Sequence, residues 1–175
     1  LVEDEAVAAS YGIGAPNLEG FLFPETYLLS KNETEADLVR RMVEGFKTIW
    51  TPEFDARAKE IGLSRLEVVS LASVIEKETG VASERPLIGS VFHNRLKKGM
   101  KLQSDPTIIY GLPNYDGNIR RKDIRHPHPW NTYVIEGIPP TPIASPGEAA
   151  IRAALWPDTS DYLFFVARAT GTPSS

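Results

Sequence analysis

The sequence contains no cysteine among its 175 residues. Disulfide bonds, a cysteine nucleophile and a zinc–thiolate site are therefore excluded. Long apolar runs are also lacking, because no stretch approaches the ~20 consecutive apolar residues that a membrane-spanning helix needs. Positive charge is not in excess, since the net charge is −4, and the short basic run Arg120–Lys122 is followed at once by Asp123. We interpret that run as a solvated turn and expect no nucleic-acid partner.

What the sequence does contain is the composition of an ordinary globular domain. Hydrophobic residues make up 42% of the chain and charged residues 24%, which leaves enough apolar material for a core. The length suits a single domain. Proline and glycine are frequent, with 14 and 13 residues, so turns and loops are expected between short elements.

Apolar residues at spacings of three and four predict several helices. The clearest covers about 65–79, where Ser64 and Glu67 form a capping box ahead of an apolar stripe. A second long helix is predicted over about 33–50 by the cap residue Asn32 and the apolar stripe that follows it. Shorter helices are predicted over about 3–10, 84–98, 105–111 and 146–156.

Two segments have the pattern of strands instead. Tyr162–Ala167 is too short for a typical helix and is rich in aromatic residues, which predicts a buried strand. Thr132–Ile135 is a second candidate strand. Since helices dominate and strands are few, we predict the α+β class, as a mostly helical domain with a few short strands.

Two glutamates near the end of the predicted helix 65–79 are candidates for acid–base chemistry. At about 100° per residue, Glu76 and Glu78 both project into the apolar arc of the helix. A carboxyl group on an apolar flank loses hydration, which favours its neutral form, and a general acid must carry its proton near neutral pH. Helix-end glutamates also commonly pair with a lysine or arginine or reach solvent. A helical wheel of residues 65–79 therefore does not distinguish Glu76 from Glu78 as the catalytic group.

Two polar segments have the composition of a carbohydrate-binding surface. Residues 101–110 carry amides, hydroxyls and a carboxylate beside a helix start, and sugars are bound by such planar polar groups together with aromatic faces. Within this segment, Asp105 is better interpreted as a helix N-cap than as a catalytic group. Trp130–Tyr133 lies in a proline-rich loop, where an aromatic residue is as consistent with a core anchor as with a platform for a sugar ring.

Metal and nucleotide chemistry find little support in the sequence. His126 and His128 offer two imidazoles, but the chain has only three histidines and no carboxylate cluster lies beside this pair. We therefore predict no metal site. No phosphate-binding loop, dinucleotide fingerprint or nucleophile elbow occurs.

Several motifs, taken together, resemble the MltG family of endolytic murein transglycosylases, also called the YceG-like family. The similarity runs in order over about residues 17–167. The matching segments are Leu18–Tyr27, Leu71–Thr79, Glu84–Arg85, Ser90–Leu96, Met100–Thr107 with Tyr110–Gly111, Asn131–Tyr133 and Gly137–Gly147.

The resemblance implies an enzyme that cleaves the glycan strands of peptidoglycan internally, between N-acetylmuramic acid and N-acetylglucosamine, and leaves a 1,6-anhydro-muramyl end. It implies that Glu76, the first glutamate of the Glu-Lys-Glu-Thr motif, is the single catalytic acid and base. From motif position and polarity, Gln103, Ser104, Asn131 and Tyr133 are the expected sugar-binding residues. This chemistry needs neither a cofactor nor a metal ion.

The resemblance also implies a location and partners. Members of the family are anchored in the cytoplasmic membrane by a single span, with the catalytic domain on the outer side, and work alongside the cell-wall synthases. Residues 1–175 are then expected to be one catalytic domain, a fragment without the N-terminal membrane anchor and without part of the C-terminus.

Two alternative functions stay open at this point. One is a peptidoglycan-binding or scaffold module without catalysis. The other is a hydrolytic muramidase, which differs from a lyase because it adds water to the cleaved end of the glycan.

Overall fold

The computed structural model describes residues 2–166, and helices make up all the regular secondary structure in that range. A 3₁₀ turn, Ala82–Glu84, connects the fourth and fifth α-helices. None of the described helices is long and apolar enough to span a lipid bilayer. The α-helices are α1 Glu5–Ser10, α2 Glu35–Ile49, α3 Pro52–Glu60, α4 Arg65–Glu78, α5 Arg85–Lys97, α6 Asp105–Tyr110, α7 Arg121–Ile124 and α8 Glu148–Leu155.

Helix α4 is the centre of the core. Ser64 and Glu67 form the predicted capping box at its start, and all eight residues from Val68 to Ile75 are buried. Helix α8 packs against both α4 and α5. The ends of these three helices position the candidate site.

A series of aromatic rings joins α2 and α3 to this core. Neighbouring ring centroids along the series are 5.0, 5.8, 5.8 and 5.2 Å apart, in edge-to-face or stacked orientations. Such pairs stabilise a fold by about 0.5–1.5 kcal/mol each beyond their burial. The series is Phe21, Phe46, Trp50, Phe54 and Trp156.

All six predicted helices are present, and their ends agree with the prediction to within two residues. Two helices were not predicted, α3 and α7. The basic run that we interpreted as a solvated turn contributes Arg121 and Lys122 to α7, where both side chains are exposed.

The prediction of an α+β class is wrong, because none of the described residues lies in a strand. Thr132–Ile135 forms a turn in which the N–H groups of Val134 and Ile135 both donate to the carbonyl of Asn131. A backbone that folds onto itself in this way has no carbonyls aligned for a sheet ladder. Of the other predicted strand, Tyr162–Ala167, the residue Ala167 lies outside the described residues.

Residues 162–166 form no strand, and side chains of α5 bind two of their carbonyls. The amide of Asn94 donates to the carbonyl of Tyr162 over 3.0 Å, and the guanidinium of Arg95 donates to the carbonyl of Leu163 over 2.7 Å. A strand needs a neighbouring strand for these groups, and the described part of the chain supplies a helix surface instead.

Candidate active site

Glu76 lies in the last turn of α4, and two groups hold its carboxylate. The guanidinium of Arg85 donates to Oε1 over 2.7 Å, and the backbone N–H of Gly147 donates to Oε2 over 3.0 Å. The Glu76 side chain is 25% exposed, whereas that of Arg85 is 12% exposed. The carboxyl group is therefore fixed from two sides and still reachable from solvent.

Three helix ends meet to create this arrangement. Glu76 is near the C-terminal end of α4, Arg85 is the first residue of α5, and Gly147 is the N-cap of α8. The hydroxyl of Thr79 donates to the carboxylate of Glu84 over 2.8 Å, which ties the end of α4 to the start of α5. A cation at the C-terminal end of α4 is also favoured by the helix dipole.

Arg85 is the residue of the candidate site that the sequence did not reveal. In the sequence, the pair Glu84–Arg85 is one of the matching motifs, which assigns the arginine no role. Among residues 2–166, Glu76 is the only hydrogen-bond partner of this guanidinium, and the Arg85 Nε is buried without one. The apolar arc of α4 cannot reveal this partner, because Arg85 belongs to another helix.

Glu78 has a different environment on another side of α4, because residues two apart in a helix point about 200° away from each other. The hydroxyl of Ser104 donates to the Glu78 carboxylate. Burial raises the pKa of Glu78 above its ordinary value, the hydrogen bond from Ser104 opposes the rise, and the nearby Asp105 adds to it. The loss of hydration that the wheel predicted is thus found at Glu78.

Glu78 should make the stability of the fold depend on pH. A carboxyl group whose pKa is raised on folding contributes stability below its ordinary value of 4.5, and that contribution is lost as pH rises through the folded-state pKa. Glu78→Gln removes this titration and keeps an oxygen that accepts from Ser104. We expect the variant to gain unfolding free energy relative to the parent between pH 4 and pH 8, by about 1.4 kcal/mol per unit of pKa shift.

Urea denaturation at pH 4, 6 and 8 measures this difference. Glu44→Gln is the matched control, because Glu44 is exposed on α2 and its replacement should show no such trend. A Glu78→Gln effect that stays constant over this pH range would contradict the assignment of a shifted carboxyl group.

The four predicted sugar-binding residues lie in one polar cluster beside Glu78. Gln103 is exposed and Tyr133 is partly exposed, whereas Ser104 and Asn131 are 1% and 0% exposed. The Asn131 amide donates to backbone carbonyls of the preceding loop over 3.1 and 2.8 Å. Gln103 and Tyr133 are therefore reachable from solvent, whereas Asn131 is engaged by that loop and Ser104 by the Glu78 carboxylate.

The backbone and hydroxyl groups of this cluster are closely fixed. Gln103 has a φ of 49°, a left-handed conformation that is uncommon for a residue other than glycine, and its N–H donates to the carbonyl of Thr132. The hydroxyl of Tyr133 donates to Asp105 over 2.7 Å. Burial, together with that bond, raises the pKa of Tyr133 to about 12. Within the described residues, none of the cluster's hydrogen bonds reaches Glu76.

The loop around His128 is built for packing. The Nδ1 of His128 accepts from the N–H of Trp130 over 3.3 Å, and the Nε2 of His128 lies 3.1 Å from the carbonyl of Ile108. The Trp130 indole donates to Thr141 over 2.8 Å, and its ring meets Tyr110 edge-on at 5.0 Å. These contacts favour the interpretation of Trp130 as a core anchor. From residue 2 to 166, no three His, Cys, Asp or Glu side chains are grouped to hold a metal ion.

Comparison with known proteins identifies related chains. The model of the YceG-like family matches residues 2–174. An endolytic murein transglycosylase of Bacillus subtilis strain 168 is 37% identical over 155 residues, which cover 88% of this chain and 43% of that protein. One of Streptococcus pneumoniae serotype 2 strain D39 is 34% identical over 158 residues, covering 87% of this chain and 28% of that protein.

A solved structure has the same fold. The 2.6 Å crystal structure of a yceG-like protein from Listeria monocytogenes superposes with a TM-score of 0.82 at 32% sequence identity. The match covers 95% of this chain and 59% of that one. The chain spans less than half the length of the Bacillus and Streptococcus relatives.

Proposed function

The chain belongs to the YceG-like family, and from that premise we propose that it is an endolytic murein transglycosylase. This is a lyase that cleaves peptidoglycan glycan strands between N-acetylmuramic acid and N-acetylglucosamine and leaves 1,6-anhydro-muramyl ends. The names of the two relatives support the proposal. The observation that carries it is the carboxyl group of Glu76, held by Arg85 and Gly147 and still partly exposed.

We assign Glu76 as the single acid and base. Its carboxylic acid gives a proton to the oxygen that bridges the two sugars, while the bond from that oxygen to C1 of the muramyl residue breaks. The C6 hydroxyl of the same residue then attacks C1, and its proton passes to the Glu76 carboxylate. The proton is regenerated, no water is consumed, and the internal hydroxyl gains from its high effective concentration.

One carboxyl group suffices for this reaction. A glycosidase of the usual hydrolytic kind needs two carboxyl groups flanking the bond, about 5–9.5 Å apart. Glu78 is the nearest carboxyl group along α4, but it points away from Glu76 and is engaged by Ser104. The contact between Arg85 and Glu76 suits the second half of the reaction, in which the ionised carboxylate is the base.

We further propose Gln103 and Tyr133 as direct contacts to the glycan, with Ser104 and Asn131 holding them in place. The proposed site of action is the outer side of the cytoplasmic membrane, with single-span anchoring and cell-wall synthases as partners, as the family resemblance implies.

Mass spectrometry of the glycan ends tests the function. Purified protein incubated with isolated peptidoglycan should release fragments that end in anhydro-muramyl residues. Fragments one water molecule heavier would instead identify a muramidase. Binding to peptidoglycan without any new ends would identify the non-catalytic module, and either result would overturn the proposed lyase activity.

A further inference from the structure

Gly147 lies beside the carboxyl group of Glu76, yet nothing in the described fold requires a glycine there. Its φ of −79° and ψ of 173° are open to any residue. A Cβ would meet one atom within 4 Å, Oε2 of Glu76 at 3.6 Å, which is ordinary van der Waals contact. A serine would cap α8 at least as well. Neither backbone conformation nor packing explains the glycine.

At two other positions, Gly20 and Gly111, packing does require a glycine. At Gly20, which also has a φ of +87°, a Cβ would lie 2.4 Å from Pro142. At Gly111, a Cβ would lie 2.3 Å from the ring of His128. Distances this short force neighbouring atoms to move, so those two positions exclude a side chain by themselves, and Gly147 does not.

The surface next to Gly147 is open rather than packed. A cavity of about 320 Å³ lies between the start of α5 and α8. Its lining includes Pro86, which follows Arg85 in the sequence, and Ala149, two residues after Gly147. Pro86 and Ala149 are close in sequence to the two groups that hold Glu76, although those groups do not themselves line the cavity. Within the described residues, a Cβ on Gly147 would meet only Oε2 of Glu76 within 4 Å, so the space over Gly147 is free for a ligand.

The two oxygens of Glu76 have unequal partners. Oε1 accepts a charge-assisted bond from Arg85 at 2.7 Å, and Oε2 accepts from a neutral backbone N–H at 3.0 Å. Bonds to a charged donor are about twice as strong as neutral ones. When the group is a carboxylic acid, Oε1 continues to accept from Arg85 and the proton resides on Oε2.

We propose that the bridging oxygen of the glycan reaches Glu76 across Gly147, and that Oε2 is the oxygen that transfers the proton. This inference rests on the proposed lyase function. In the transfer, the bond between hydrogen and Oε2 breaks as the bond between hydrogen and the bridging oxygen forms. A side chain at position 147 occupies the approach, which makes the missing Cβ a requirement of the reaction.

Gly147→Ala and Gly147→Ser test the proposal. Both variants keep the backbone N–H that donates to Oε2, and the serine also preserves a good N-cap for α8. We expect kcat for release of anhydro ends to fall 10- to 100-fold, since a displacement of about 1 Å costs up to 10² in rate. Retention on insoluble peptidoglycan and the Tm should stay close to the parent values.

The control is Gly14→Ala, because Gly14 has no positive φ and a Cβ there meets no atom within 4 Å. A kcat equal to the parent's in both Gly147 variants would overturn the approach across Gly147 and leave the lyase function standing. Loss of peptidoglycan binding together with kcat would also overturn it, because it would indicate a defect of fold or affinity. If the parent cleaves no glycan, the proposed function fails, and this inference fails with it.

Discussion

Glu76→Gln should lower kcat for the release of anhydro-muramyl ends by about 10²- to 10⁴-fold, the usual contribution of one general acid–base group. The amide keeps the size of the side chain but cannot donate a proton as an acid or accept one as a base. Because both proton transfers are assigned to this residue, the substitution removes the acid and the base together. Liquid chromatography and mass spectrometry of digests of isolated peptidoglycan measure the rate.

A loss of stability could imitate this result, since the substitution also affects Arg85. That guanidinium is 12% exposed and has Glu76 as its only hydrogen-bond partner in the described residues. A neutral amide leaves the buried charge without its counterion and presents only one oxygen to the two donors. Leaving a buried donor unpaired costs about 1–3 kcal/mol, so a lower Tm is expected for Glu76→Gln.

The double variant Glu76→Gln with Arg85→Met separates the two effects. Methionine fills much of the arginine volume without its charge, so the Tm should recover towards the parent value. Activity should not recover, because the proton donor is still missing. Recovery of activity along with the Tm would contradict the role of Glu76, and so would a parent-like rate in the single variant.

The contrast between Glu76 and Glu78 shows why the site was only partly predictable. The wheel of one helix placed both side chains in the apolar arc, which is a statement about that helix alone. Their environments depend on partners far along the chain: Gly147 is 71 residues from Glu76, and Ser104 is 26 residues from Glu78. A periodic pattern carries no information about such partners, and the choice of Glu76 came from the family resemblance.

The helices were predictable because their signals are local. A capping box and an apolar stripe lie within the same few turns, as at Ser64 and Glu67. Helix α3 was missed because it buries only Phe54 and Ala58 and has no side-chain cap hydrogen bond. The signal that would have found it is Pro52 in the first turn, directly after Thr51.

The predicted strand at 162–166 failed for a different reason. The exposure of its residues does alternate, because Tyr162 and Phe164 are 61% and 69% exposed whereas Leu163 and Phe165 are partly buried. Alternation alone does not make a strand, and the chain bends at Leu163. Whether an extended segment becomes a strand depends on what satisfies its carbonyls, and here side chains such as Arg95 do so.

Gly89→Ala should be the most destabilising single-methyl change among the helical glycines of the described region. A Cβ at this position on α5 would lie 2.4 Å from the carbonyl oxygen of Ala153 and 3.2 Å from its carbonyl carbon. Both atoms belong to the backbone of α8, so no side chain can rotate away and the two helices must separate. Overpacking of this kind costs about 1–3 kcal/mol, and we expect about 2–3 kcal/mol, which lowers the Tm by roughly 5–10 °C for a chain of this size.

Gly45→Ala is the matched control for this prediction, because Gly45 also lies inside a helix, α2. The nearest atom to a Cβ there is the hydroxyl of Tyr27 at 3.0 Å, the end of a side chain that can move. Helix propensity alone favours alanine over glycine by about 1 kcal/mol, so the unfolding free energy of Gly45→Ala should stay within about 1 kcal/mol of the parent value. In Gly89→Ala the clash outweighs this gain, and the unfolding free energy should fall. Equal changes in the two variants would contradict the contact with Ala153 as the cause.

Gly89→Ala should also reduce kcat. Since α5 begins at Arg85 and α8 follows Gly147, a wider spacing of these helices should pull apart the two groups that hold Glu76.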